Sequence, residues 1–218
     1  MPSPPQILAG LAGIAHQAQP LAVAWHVIAL ATMGAVAAGW RPSRRLAASL
    51  LTLPLWSVAV LAWASGNPFN GTMFVVFGAT LGILGLRMPP LAVPRPPRWS
   101  LSFGVAMVAF GLVYPHFVAT DSWLTYLYKA PTGLVPCPTL SLVIGVALVT
   151  DGLGSRAWSL VLAAAGILYG VFGVARLGVT LDFGLLVGAL ALAVLGVSTA
   201  MRGPAAGAGR ANHVELAR

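Results

Sequence analysis

From Pro20 to Met201 the chain is a succession of seven apolar runs, and most of its charges lie in the breaks between them. Lipid leaves such runs one conformation. With no water to bond to, each backbone N–H and C=O must be satisfied within its own segment, which a helix does and a lone strand does not. About 20 apolar residues wound as a helix match the thickness of a bilayer core. The runs are about Pro20 to Gly39, Leu46 to Ala64, Thr72 to Leu86, Ser100 to Tyr114, Thr139 to Thr150, Ala157 to Ala175 and Phe183 to Met201. Only 7% of the residues are charged and mean hydropathy is +0.88, whereas a soluble domain carries about 25% charged residues. The expected fold is therefore all-α, a polytopic transmembrane helix bundle of about seven spans. Residues 20–201 form that bundle, 1–19 an outer segment, and the polar, Gly/Ala-rich 202–218 a disordered tail.

The breaks carry the orientation. Ten of the twelve Lys and Arg fall after spans one, three, five and seven: Arg41, Arg44, Arg45, Arg87, Arg95, Arg98, Arg156, Arg202, Arg210 and Arg218. Lys129 and Arg176 alone lie on the other side. Positive loops stay in the cytoplasm, so the N-terminus is expected outside, the tail inside, and the chain in the cell membrane as a multi-pass protein. No Lys or Arg precedes Arg41, so no cleaved signal peptide is expected. Net charge +8 does not mark a nucleic-acid binder, because the basic residues are topology signals and form no basic face. The interval from Pro115 to Pro136 holds Trp123, Tyr126, Tyr128 and Lys129, and its Ser122 to Tyr128 part reads as a short helix along the outer surface. Glycine pairs four apart (Gly78 and Gly82, Gly166 and Gly170, Gly184 and Gly188) suit close helix packing. They serve first inside the bundle, and secondarily in homo- or hetero-oligomers.

The single cysteine sits in Pro136-Cys137-Pro138-Thr139. Two prolines fix φ and remove donors, so Pro136 to Pro138 is expected to be non-helical, a helix break at the mouth of the short fifth span. Together with Asn67-Pro68 and Phe77, Tyr114-Pro115, Pro131-Thr132-Gly133 and Asp182 opening Asp-Phe-Gly-Leu-Leu-Val-Gly, this element resembles a domain-of-unknown-function family of bacterial multi-span membrane proteins marked by Pro-Cys-Pro-Thr. The likeness covers roughly residues 50 to 195. It implies a membrane helix bundle and brings no activity with it.

With the N-terminus outside, the chemically useful side chains gather at the outer end: His26, Asn67, Asn70, Tyr114, His116, Cys137, Thr139, Arg176 and Asp182. At least two of His26, Asn67, Tyr114, His116 and Asp182 are expected to approach Cys137. A thiol at a helix N-terminus is drawn toward thiolate and suits a soft metal such as Cu(I), with His116 as a second ligand. A buried cysteine is otherwise a small inert hydrophobe. His26, an ionisable group inside a span, is a functional candidate by default, or a neutral ring bonded to a helix carbonyl. Asp182 reads as a helix cap with a local ion pair to Arg176, or as a coupling-ion site.

Sharper functions are excluded. The only lysine is Lys129, so no span carries a retinal Schiff base, and no phosphate-binding glycine loop, HExxH or CxxC occurs. No catalytic set is legible, which leans the chain away from an enzyme. Transport of a small solute or ion through an outward-facing site near Cys137 fits best, since broken helices line transport cavities. A non-catalytic membrane subunit is the alternative, and a thiol- or metal-based redox protein a weaker one.

Overall fold

The structure, a computed structural model, describes residues 3–117 and 122–201. Among these the chain is helical, with no strand beyond an isolated bridge between Ser43 and Ala92. The helices are α1 Pro4–Gln17, α2 Gln19–Ala37, α3 Arg44–Ala64, α4 Pro68–Leu86, α5 Arg98–Val113, α6 Tyr126–Lys129, α7 Pro136–Val149, α8 Arg156–Leu177 and α9 Asp182–Met201. The seven expected runs are thus α2, α3, α4, α5, α7, α8 and α9. Four of them, α2, α3, α4 and α8, are long and apolar enough to cross a membrane. The other three are apolar but shorter over their described residues. The tail 202–218 lies outside the described residues, as does Asp121.

Local chemistry explains where the helices start. Ser43 accepts a hydrogen bond from the Leu46 amide at the head of α3, Asn67 from Asn70 at α4, and Ser155 from Trp158 at α8. Pro68 sits in the first turn of α4, where a missing N–H costs nothing. The same rule corrects the expectation for the Pro-Cys-Pro-Thr element. Pro136 is the first residue of α7 and Pro138 the third, so the element is the helix's opening turn and not a break. The first four amides of a helix have no intrahelical partner, and two prolines there forfeit no bond. The irregular backbone lies just before, from Ala130 to Val135, and it is wholly buried.

Helix α7 is the axis of the molecule: every residue from Pro136 to Val149 is buried. α5 runs antiparallel along it at backbone distance. A Cβ built on Gly104 would lie 2.8 Å from the Gly145 carbonyl oxygen, and one on Gly111 2.7 Å from the Leu142 nitrogen. α3 pairs with α4 and α8 with α9, and the latter pair closes α7 from the far side. Of the six glycines singled out in the sequence, Gly78, Gly166, Gly170, Gly184 and Gly188 meet protein, while Gly82 faces open space. The glycines that matter most for the axis, Gly104, Gly111 and Gly145, are seven and more residues apart and were not among them.

α1 is a 14-residue helix where only a surface-lying turn or partial helix is legible in the sequence. Its Leu11 and Ile14 pack with Leu134 and Val135, so it lies over the irregular stretch before α7. The interval after α5 contains a 3₁₀ turn, Trp123–Thr125, and the four-residue α6, which is too short to span. Large apolar side chains stay exposed along the outer faces, among them Val27, Leu30, Val60, Ile83, Leu86 and Val194. Such a continuous apolar exterior suits lipid rather than water.

Candidate functional site

Three buried side chains from three helix ends meet around one carboxylate. Asp182 opens α9, Cys137 lies in the first turn of α7, and Tyr114 immediately follows α5. Pro115, which follows, keeps Tyr114 out of the helical region, so α5 ends before it. Its hydroxyl donates to Asp182 Oδ1 at 2.6 Å. The Cys137 thiol donates to Asp182 Oδ2 at 3.2 Å. Asp182 is 1% exposed, Tyr114 0% and Cys137 8%, so the cluster is closed to solvent.

Asp182 has no ion pair among the described residues, and the expected local pair with Arg176 does not form. Its charge is compensated otherwise. The N-termini of α7 and α9 both converge on it, and each carries roughly half a positive charge from aligned peptide dipoles. Two donors complete the shell. Gly173 on α8 makes the room, because a Cβ there would fall on the carboxylate. An acidic group buried in an apolar bundle without a basic partner is expensive, and it is tolerated here by two donors and two dipoles.

A second polar pair adjoins the first. The Tyr169 hydroxyl donates to Asn70 Oδ1 at 3.1 Å, and both residues are buried. Tyr169 lies one turn before Gly173 on α8 and packs its ring edge-on to Phe74, 5.3 Å between centroids. Asn70 stands in the sequence among the polar residues of the outer end, whereas Tyr169 is hidden in the apolar sixth run. A tyrosine in the middle of such a run was the available signal.

The remaining candidates have other duties. Asn67 caps α4 and stays apart from the cluster. Thr139 accepts from the Gly133 amide at 2.8 Å and donates to the Val135 carbonyl at 2.6 Å, which pins the irregular stretch onto α7. Thr132, from that stretch, donates to the Gly111 carbonyl at the end of α5. His26 has Nδ1 2.8 Å from the Ala22 carbonyl of its own helix and Nε2 2.8 Å from the Leu112 carbonyl. It therefore ties α2 to the C-terminal turn of α5, whose last carbonyls lack helical partners. His116 is half-buried and packs against the rings of Phe117, at 4.4 Å, and Tyr114, at 6.5 Å. Burial lowers its pKa from the ordinary histidine value.

Chemically, the cluster is a hydrogen-bonded array, hydroxyl to carboxylate to thiol, able to hold a proton and pass it along. It supplies two side chains of metal-binding type, Cys137 and Asp182. His116, the expected second ligand, is placed against Tyr114 and Phe117. Among the described residues no three His, Cys, Asp or Glu come together to hold a metal ion. Comparison with family models, curated proteins and solved structures finds no match for this chain.

Proposed function

We propose that the chain is a seven-span cell-membrane protein, N-terminus outside and tail cytoplasmic, that moves a small solute or ion, with Asp182 as the group that takes up and releases the coupling proton. The observation that carries this reading is the Asp182 carboxylate, buried, unpaired by any base, and bonded on both oxygens by Tyr114 and Cys137. Ionisable groups inside a helix bundle are costly, and proton relays are a recurrent reason for keeping them. The likeness to the bacterial family marked by Pro-Cys-Pro-Thr belongs to the same proposal. Opening of the outer end, where α1 lies over the stretch before α7, would give the cluster access to the outside.

The test is uptake into proteoliposomes under an imposed proton gradient, over a panel of small solutes and cations, with wild type beside Asp182→Asn. A solute that accumulates with wild type and fails to do so with the variant supports the reading. Folded wild type that moves none of them contradicts it. Reporter fusions check the topology separately: one at Arg210 should report the cytoplasm, and one ahead of α1 the exterior.

A second reading, a non-catalytic subunit, rests on the packing at Gly173. There the carboxylate fits against α8 so closely that it also serves as a joint between α5, α7, α8 and α9. On that reading Asp182→Asn impairs stability or assembly and nothing else.

A further inference from the structure

At the opposite, arginine-rich end, a cavity of about 280 Å³ lies between the start of α3, the end of α4 and the start of α8. Arg44, Arg87 and the Gly154–Ser155 backbone line it. Neither guanidinium has an acidic or carbonyl partner among the described residues, and Arg44 Nε is buried without any hydrogen bond. The neighbouring basic side chains differ. Arg41 donates to the Val93 carbonyl at 2.7 Å, and Arg45 to that of Met88.

The backbone around Arg44 is shaped for it. Asp151, Gly152, Leu153 and Gly154 all take positive φ, from 52° to 63°, a left-handed turn that includes two non-glycine residues. Leu153 is fully buried, which holds the turn in place. A Cβ at Gly154 would lie 2.8 Å from Arg44 Cζ and 2.9 Å from one of its Nη atoms. The guanidinium therefore lies directly on the turn, at the N-terminus of the 22-residue α8. Two guanidinium groups thus line one cavity beside the positive end of a long helix dipole. A guanidinium is built for forked hydrogen bonding to an oxyanion, and a helix N-terminus adds to the attraction.

We propose that this cavity binds a phosphate group, seated between Arg44 and Arg87 at the start of α8. Two sources carry that chemistry, the headgroup of an anionic phospholipid and free phosphate. The inference goes beyond the transport reading and does not depend on it.

The test is thermal unfolding of the full-length protein, followed by its tryptophan fluorescence. One arm titrates inorganic phosphate in detergent. The other compares nanodiscs of phosphatidylglycerol with nanodiscs of phosphatidylcholine. Ligand bound to the folded state raises Tm by mass action. Arg87→Gln is the primary variant, since Arg87 is exposed and bonds to nothing in the fold. Arg44→Gln is the second, and Arg98→Gln, an exposed arginine at the same end outside the cavity, is the control. The expected result is a rise in Tm with at least one probe, an apparent affinity at least tenfold weaker in Arg87→Gln, and an unchanged one in Arg98→Gln. A response in the lipid arm alone identifies a headgroup, and one with inorganic phosphate a free anion. Equal weakening in Arg87→Gln and Arg98→Gln would mean diffuse charge attraction and overturn the site, as would the absence of any shift with both probes.

Discussion

Around Asp182 the two donors are unequal. A phenol hydroxyl at 2.6 Å is a strong donor to a carboxylate, whereas a thiol is a weak one even at 3.2 Å. Tyr114→Phe should therefore cost about 1–2 kcal/mol of stability, and Cys137→Ala about 1 kcal/mol or less for its bond. Thermal unfolding in one detergent checks the order, and a larger loss for Cys137→Ala would contradict it. His116 adds a pH dependence of known sign. Burial lowers its folded-state pKa, so the unfolded chain protonates first as pH falls through about 6.5. The fold loses stability below that point and nothing above it. The loss is small because the ring is only partly buried and solvent screens its charge. Melting between about pH 7.5 and 5 should fall less steeply in His116→Gln than in wild type. The Asp182 cluster was partly legible at this scale. Tyr114, Cys137 and Asp182 each carried a chemical flag, and positive-inside sorting put them on one side. Their meeting was legible in outline, since polar groups buried at one end of an apolar bundle must satisfy one another. Which of the five candidates reach Cys137 was not, because 45 residues separate it from Asp182 and no local rule links them.

Among the elements, α5 and α7 carry the fold. They touch backbone to backbone through Gly104, Gly111 and Gly145, where lipid offers no hydrophobic drive and van der Waals contact must do the holding. Gly104→Ala should cost about 1–3 kcal/mol, because its Cβ would meet a backbone oxygen that cannot move aside. Gly82→Ala, with open space around it, should gain up to about 1 kcal/mol of helix propensity. If both alanines act alike in thermal unfolding, the close contact is not what joins the two helices. The start of α7 shows why element boundaries were misread. Pro136 and Pro138 look like breakers in sequence, yet at the first and third positions of a helix they break nothing. The seven runs themselves were legible because length and hydropathy follow directly from what lipid permits. α1 was not, since a short apolar patch shows no partner until Leu134 and Val135 are seen beneath it.

At the scale of the whole molecule the polar groups divide between two ends of an apolar bundle. The acidic, hydrogen-bonded cluster lies at the end where α1 packs on Leu134 and Val135, and the Arg44 and Arg87 guanidinium groups lie at the other. Between them α7 is apolar from Leu142 to Val149, so α7 itself offers no polar side chain along that stretch. On the transport reading proposed above, the cycle moves helices, with α8 and α9, joined by the turn that leads into Asp182, as the pair that responds to its protonation. The most direct measurement of that claim is infrared difference spectroscopy of the protein in a bilayer during a pH titration, reading the carboxylic C=O stretch. The account predicts a reversible protonation signal from a shielded carboxyl, lost in Asp182→Asn and shifted in Tyr114→Phe. A carboxyl signal identical in wild type and Asp182→Asn across the whole range in which the protein stays folded would contradict it, and would leave Asp182 as a packing joint alone.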